Sequence, residues 1–126
     1  MRRLLLDTNV VVWLLLGDRN AVPEAVAREL ADERNTVSLS AVSVWEIAIK
    51  RSLGKLEIED GWADALARLD FEPMPVTFTH ARRVESLLWH HRDPFDRLLI
   101  AQASVEGHAL VSADADLEAY GIEIVW

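Results

Sequence analysis

The chain has 126 residues, a length that fits one domain with a core burying roughly two-thirds of the unfolded surface. Cysteine is absent, which excludes disulfides, thiolate zinc sites and cysteine nucleophiles together and fits a reducing cytoplasm. Thirteen basic residues against 21 acidic ones give a net charge of −8, so a uniformly basic nucleic-acid coat is excluded but a local basic patch is not.

Arg2 and Arg3 precede an apolar run that imitates a secretory signal. Asp7, Thr8 and Asn9 interrupt it, and the run is too short to span a bilayer. It reads instead as a strand, Arg3–Leu6, entering a helix, Thr8–Leu16, that Gly17 stops. Pro23 suits a first helical position and opens a helix through about Glu33. Thr36–Ser40 is rich in β-branched residues and predicts a second strand. The stretch AVSVWEIAIKRSL is an apolar-faced helix with Gly54 beyond its end, and Gly61–Leu69 forms another. Pro73–Val76 supplies a short strand or an extended link, and the spacing over His80–Trp89 is helical. Asp93 and Pro94 look like the cap and first position of a long helix closed by Gly107. Ala109–Ser112 and Ile122–Val125 complete the strands. No linker or repeat divides the chain, so residues 1–126 read as a single α/β domain. Alternating strands and helices argue for a central parallel sheet of four to five strands, covered by helices on both faces.

Ligands of such a sheet bind beyond the carboxyl ends of the strands. Asp7 ends the first strand, Asp114 follows ALVSA, and Glu46 lies in the helix after the second strand. Asp96 sits in the first turn of the long helix. These four acids are expected to converge. Two carboxylates about 5 Å apart repel by roughly 3 kcal/mol at an effective dielectric near 20, so a cluster takes up protons or binds a cation. All the donors are oxygens, which suits Mg²⁺ or Mn²⁺ and phosphoryl chemistry. Each acid also has a structural reading. Asp7 could cap the first helix, and Glu46 stands three residues after Ser43 at capping-box spacing. Asp96 could serve the helix dipole, and Asp114 could cap a short helix with Asp116 merely solvated.

His90–His91 lack metal-ligand spacing and do not indicate zinc. Trp13, Trp45, Trp62 and Trp89 fall in helical apolar stripes, which points to core or interface. Arg82, Arg83, Arg92 and Arg97 cluster before and into the long helix, while Lys50, Arg51 and Lys55 follow Glu46. Lys50, Arg51, Arg92 and Arg97 flank two of the proposed ligands and are candidates to meet phosphate.

The motifs LLLDTNV, SAVSVWEIAIKRSLGKL, HHRDPFDRLLIAQA and LVSADADLEAYGIEIVW resemble those of the PIN-domain family, in particular VapC-like toxins of toxin–antitoxin pairs. The resemblance runs from near residue 3 to the C-terminus. It implies a PIN-like α/β/α sandwich and a Mg²⁺- or Mn²⁺-dependent endoribonuclease that cleaves RNA with ion-activated water. Asp7, Glu46, Asp96 and Asp114 match the family's acids one by one, and Asp116 falls where many members carry a further, lesser acid. Thr8 and Ser112 are then placed to orient ligands or water. The same likeness implies a homodimer silenced by a cognate antitoxin, in a larger assembly, with an Arg offered to the acidic groove. Two other readings remain. One is a haloacid-dehalogenase-like phosphatase with Asp7 as nucleophile, although the second acid that family needs is Asn9 here. The other is a non-catalytic acidic binding module.

Overall fold

The structure, a computed structural model, describes residues 1–18 and 20–126. Five strands form one all-parallel sheet: β1 (Arg3–Leu6), β2 (Thr36–Ser40), β3 (Glu72–Met74), β4 (Ala109–Val111) and β5 (Ile124–Val125), in the order β3-β2-β1-β4-β5. The register sets Leu4 against Val37 on one side and against Ala109 on the other. Parallel pairing requires crossovers; among the described residues α1 (Thr8–Leu16), α2 (Glu24–Ala31), α3 (Ala41–Ser52), α4 (Trp62–Arg68), α5 (Phe78–Arg83) and α6 (Pro94–Glu106) lie in those up to β4, and a 3₁₀ turn lies between β4 and β5. The expected α/β/α sandwich with a parallel sheet is therefore present, with five strands.

Strand alternation divides the core in two. Leu4 and Leu6 face one side, packing with Val10 and Val11 of α1, Val26 of α2 and Leu66 of α4. Leu5 faces the other, with Leu99, Ile100 and Ala103 of α6 and Leu110 of β4. The helix α3 joins the two layers, because Val42 belongs to the second cluster and Ile47 to the first. On the α6 side β2 presents buried serines rather than hydrophobes. Ser40 Oγ donates to Gln102 Oε1, and Gln102 Nε2 in turn donates to the Pro75 carbonyl at 3.3 Å.

Several boundaries differ from the sequence reading for local reasons. Pro23 is the residue before α2 rather than within it, and β3 begins at Glu72. The largest departure is the helix expected over His80–Trp89. Thr77 caps α5 through a reciprocal pair with His80, starting the helix earlier, at Phe78. It ends at Arg83 and continues only as a 3₁₀ turn over Val84–Ser86. The cause is Arg97, only 2% exposed, whose guanidinium donates to the carbonyls of Val84, Leu87, Leu88 and His91. Carbonyls turned toward this buried cation are drawn out of α-helical alignment, and the Val84 carbonyl accepts within the segment only the 3₁₀-turn bond from Leu87, at 3.2 Å. Trp89, expected in a helical stripe, is instead an exposed loop residue stacked over Arg97 at 3.8 Å.

The chain adds β2 and β3 on one side of β1, then returns to the other side with β4. The order therefore reverses between β1 and β4, the switch point beyond whose carboxyl ends such sheets bind their ligands. Asp7 and Asp114 follow those two strands. Because Leu5 is fully buried in the central strand, Leu5→Ala should cost about 2–5 kcal/mol. A lowered midpoint in urea at unchanged slope checks this.

Candidate active site

The backbone ends of Asp7 belong to the scaffold: its N–H donates to the Val111 carbonyl at 2.9 Å and its own carbonyl accepts from Val11 at 3.2 Å. Although Asp7 occupies the cap position of α1, its carboxylate makes no capping bond. Instead Oδ2 accepts from the Ser112 hydroxyl at 2.7 Å, and the same Ser112 oxygen accepts from the Asp114 N–H at 3.1 Å. Ser112, fully buried, thus links the exits of β1 and β4. It holds the Asp7 side chain. Thr8 does something else: its hydroxyl bonds the Ser43 hydroxyl at 2.9 Å and fastens the start of α1 to α3.

Glu46 follows Ser43 by nearly one turn on α3. The cap of that helix is Ser40, which accepts from Val42 at 3.0 Å, so Glu46 has no capping duty. The residue is 4% exposed. Its Oε2 accepts from Lys50 Nζ at 2.6 Å, whereas Oε1 is a buried oxygen with no hydrogen-bond partner. Such an orphan is costly unless something else meets it.

Asp93 caps α6, accepting from Phe95 at 2.8 Å and Asp96 at 3.2 Å, which releases the Asp96 side chain. Asp96 Oδ2 accepts instead from His91 Nε2 at 2.7 Å. His91 is itself fixed, its N–H donating to the Tyr120 hydroxyl at 2.8 Å. The sequence reading dismissed the His90–His91 pair as zinc ligands and missed this contact; the signal was a histidine just ahead of the capped start of α6. Asp114 retains a capping role, accepting from Asp116 at 3.0 Å at the head of a 3₁₀ turn, Ala115–Tyr120. Asp116 is exposed.

Burial raises the Asp7 carboxyl above its ordinary range, the Ser112 hydroxyl and the Thr8 backbone oppose this, and the charges of Glu46 and Asp114 push it further up. Burial first, and then the charge of Asp7, push Asp96 up to about 6 against the opposing bond from His91. The hydrogen bond to Glu46 raises the Lys50 ammonium, and Asp93 and Asp96 add to it. The four acids are thus within electrostatic reach through Asp7. Among the described residues, no three acidic or histidine side chains stand as a preformed metal-holding group. What the arrangement offers is a set of partly dry carboxylates with one unpartnered buried oxygen and a lysine bonded to Glu46.

The model of the PIN domain matches residues 4–123. The chain belongs to the PIN-domain family. PIN domains are nucleases, hydrolases acting on nucleic acids, and generally use divalent metal ions. Among solved structures the chain resembles VapBC2 from Rickettsia felis bound to a DNA fragment from their promoter, with a TM-score of 0.74 at 14% identity, covering 98% of this chain and 97% of that one. It also resembles DNA-bound VapBC from Salmonella typhimurium, with a TM-score of 0.69 at 18% identity over 99% and 98% of the two chains. FitAcB from Neisseria gonorrhoeae gives 0.61 at 18% identity over 98% and 96%. Against curated protein sequences the chain has no match.

The basic residues around this PIN-domain crevice divide by their partners. Arg97, a candidate phosphate contact by sequence, has its guanidinium committed to loop carbonyls and is buried, so it shapes the loop rather than meeting solvent. Arg51 donates to the Ile58 carbonyl at 2.9 Å and pairs with Asp60. Arg92 is exposed, and Lys50 is held by Glu46.

The shift of Asp96 has a readable sign. Its folded value of about 6 lies above the ordinary 3.8, so between those values the folded protein binds more protons than the unfolded chain. The stability this group supplies is present in acid and lost as pH rises through 6. In chelator, Asp96→Asn should therefore gain Tm relative to wild type on going from the acid side of this window to neutral pH. An equal offset at both ends would contradict the assignment.

Proposed function

We propose that the chain is the ribonuclease toxin of a VapC-like toxin–antitoxin pair, with Asp7, Glu46, Asp96 and Asp114 as its metal-holding and catalytic acids. The observation that carries this reading is that Asp7, Glu46 and Asp96 are all excused from helix capping, by chain geometry, by Ser40 and by Asp93. Acids kept free at a sheet edge, against their mutual repulsion, need a function that uses the charge.

The donor set fits a hard divalent cation. Every donor is a carboxylate oxygen, and the orphaned Glu46 Oε1 is an acceptor awaiting a positive partner. Asp7 and Glu46 are the principal holders, Asp96 and Asp114 complete the set, and Asp116 has a lesser part. The chemistry that Mg²⁺ or Mn²⁺ supplies when bound is activation of water and neutralisation of charge developing on phosphate. The chain's own share is orientation. Ser112 turns Asp7 by engaging its Oδ2. His91 does the same for Asp96, and the Thr8–Ser43 bond sets α3, and with it Glu46, against α1. Lys50 and Arg92 are the residues proposed to approach the RNA backbone, with Arg51 nearby.

A cognate antitoxin is the proposed partner, supported by the VapBC and FitAcB likenesses. A homodimer is supported by an apolar surface on α3 and β3, where Ala41, Val44, Trp45 and Met74 line one groove and Trp45 is 56% exposed. No helix of the described residues is long and apolar enough to cross a membrane.

The test is Asp7→Asn. It should lower cleavage of a single-stranded RNA by at least about 10²-fold, the scale expected when a charge-stabilising group is removed, while circular dichroism stays unchanged. Cleavage that survives both the substitution and excess chelator would overturn the reading.

A further inference from the structure

Lys50 is the one cation hydrogen-bonded to the Glu46 carboxylate among the described residues. The two are four residues apart on α3, a spacing that puts them on one face. An exposed pair of this kind would be an ordinary surface salt bridge worth little. Here the acid is buried, its second oxygen has no partner, and the charges of Asp93 and Asp96 also favour the ammonium. Lys50 therefore neutralises part of a cluster, not a single acid. Its side chain is 41% exposed, so a route to solvent is open, and its flexible stem lets the ammonium swing without moving the helix. The same negative field that holds the lysine would attract a divalent ion. Both cannot sit against Glu46.

We propose that Lys50 is the resident counter-ion of the carboxylate crevice, displaced from Glu46 when a divalent ion enters and thereby freed to meet the phosphate backbone of the substrate. This rests on the nuclease reading above and adds an order of events to it. In the unloaded protein the lysine holds the Glu46 side chain in place through its bond to Oε2. On loading, the ion replaces one positive charge with two, and the released ammonium stands at the rim of the crevice, where the RNA backbone arrives. The lysine thus competes with the metal and cooperates with the substrate. A purely structural ion pair would do neither.

The experiment is calorimetric titration of Mn²⁺ into full-length wild type, Lys50→Met and Lys50→Arg, with RNA cleavage measured alongside. Removing the competing charge should make Lys50→Met bind Mn²⁺ about three- to tenfold tighter than wild type, the range set by one partly buried charged hydrogen bond. Lys50→Arg keeps the charge and should bind as wild type does. Without metal, Lys50→Met should melt lower than wild type and recover most of that loss at saturating Mn²⁺. Its KM for RNA should rise, with a salt dependence shallower by about one phosphate contact. Lys50→Met binding Mn²⁺ no tighter than wild type, or Lys50→Arg binding as tightly as Lys50→Met, would overturn the inference. Wild type that binds no Mn²⁺ at all would defeat the metal reading beneath it.

Discussion

Like charges held at the dry edge of a sheet are the condition around which the rest of this molecule is arranged. Asp7 and Glu46 are nearly buried, and Asp96 is partly so. Each would be destabilising alone, because burial disfavours the charged form and neighbouring carboxylates disfavour it again. The protein answers with small local compensations. One hydroxyl serves Asp7, one lysine serves Glu46, and one imidazole serves Asp96. Each satisfies one carboxylate oxygen. Glu46 Oε1 is left with no hydrogen-bond partner, an unmet electrostatic demand among these acids.

The fold makes that arrangement affordable by separating two jobs that acids near helix starts usually share. Capping of α3 falls to Ser40 and capping of α6 to Asp93, so the acids one turn further in are not consumed by the backbone. The return of the chain from β3 to β4 opens the crevice beside β1 and brings Ser112 against Asp7 across 105 positions of sequence. Two hydrophobic layers, divided by the alternation of Leu4, Leu5 and Leu6, hold the frame rigid. Arg97 secures the irregular loop that carries His91, giving the histidine a fixed position from which to reach Asp96. Positive charge is therefore used for architecture as well as for the site, in keeping with a chain whose net charge is −8.

Much of this was legible in the sequence where periodicity and local chemistry agree. The apolar run of Arg3–Leu6 followed by Asp7, and the Asp93–Pro94 start of α6, are local signals, and they mark β1 and α6 at the expected places. Asp7, Asp96 and Asp114 stood out because each lies at or just past a strand end or in a helix's first turn, and Glu46 because it lies among apolar neighbours in the helix after β2. The segment His80–Trp89 misled because its helical spacing is real, while the residue that unwinds its second half, Arg97, lies on α6 and acts through tertiary contacts. Arg97 itself looked like a phosphate contact because its burial has no signature in one dimension. The lysine on Glu46 was visible as an i,i+4 pair, yet its meaning depends on the burial of its partner and the missing bond at Oε1.

The central claim is that these carboxylates form one cation site at the β1–β4 crevice, and anomalous diffraction from crystals saturated with Mn²⁺ tests it most directly. The account predicts a manganese peak beside the carboxylates of Asp7 and Glu46, with the Lys50 ammonium moved away from Glu46. Manganese bound only elsewhere on the surface, or a crevice in which Lys50 still holds Glu46 at saturating metal, would contradict it.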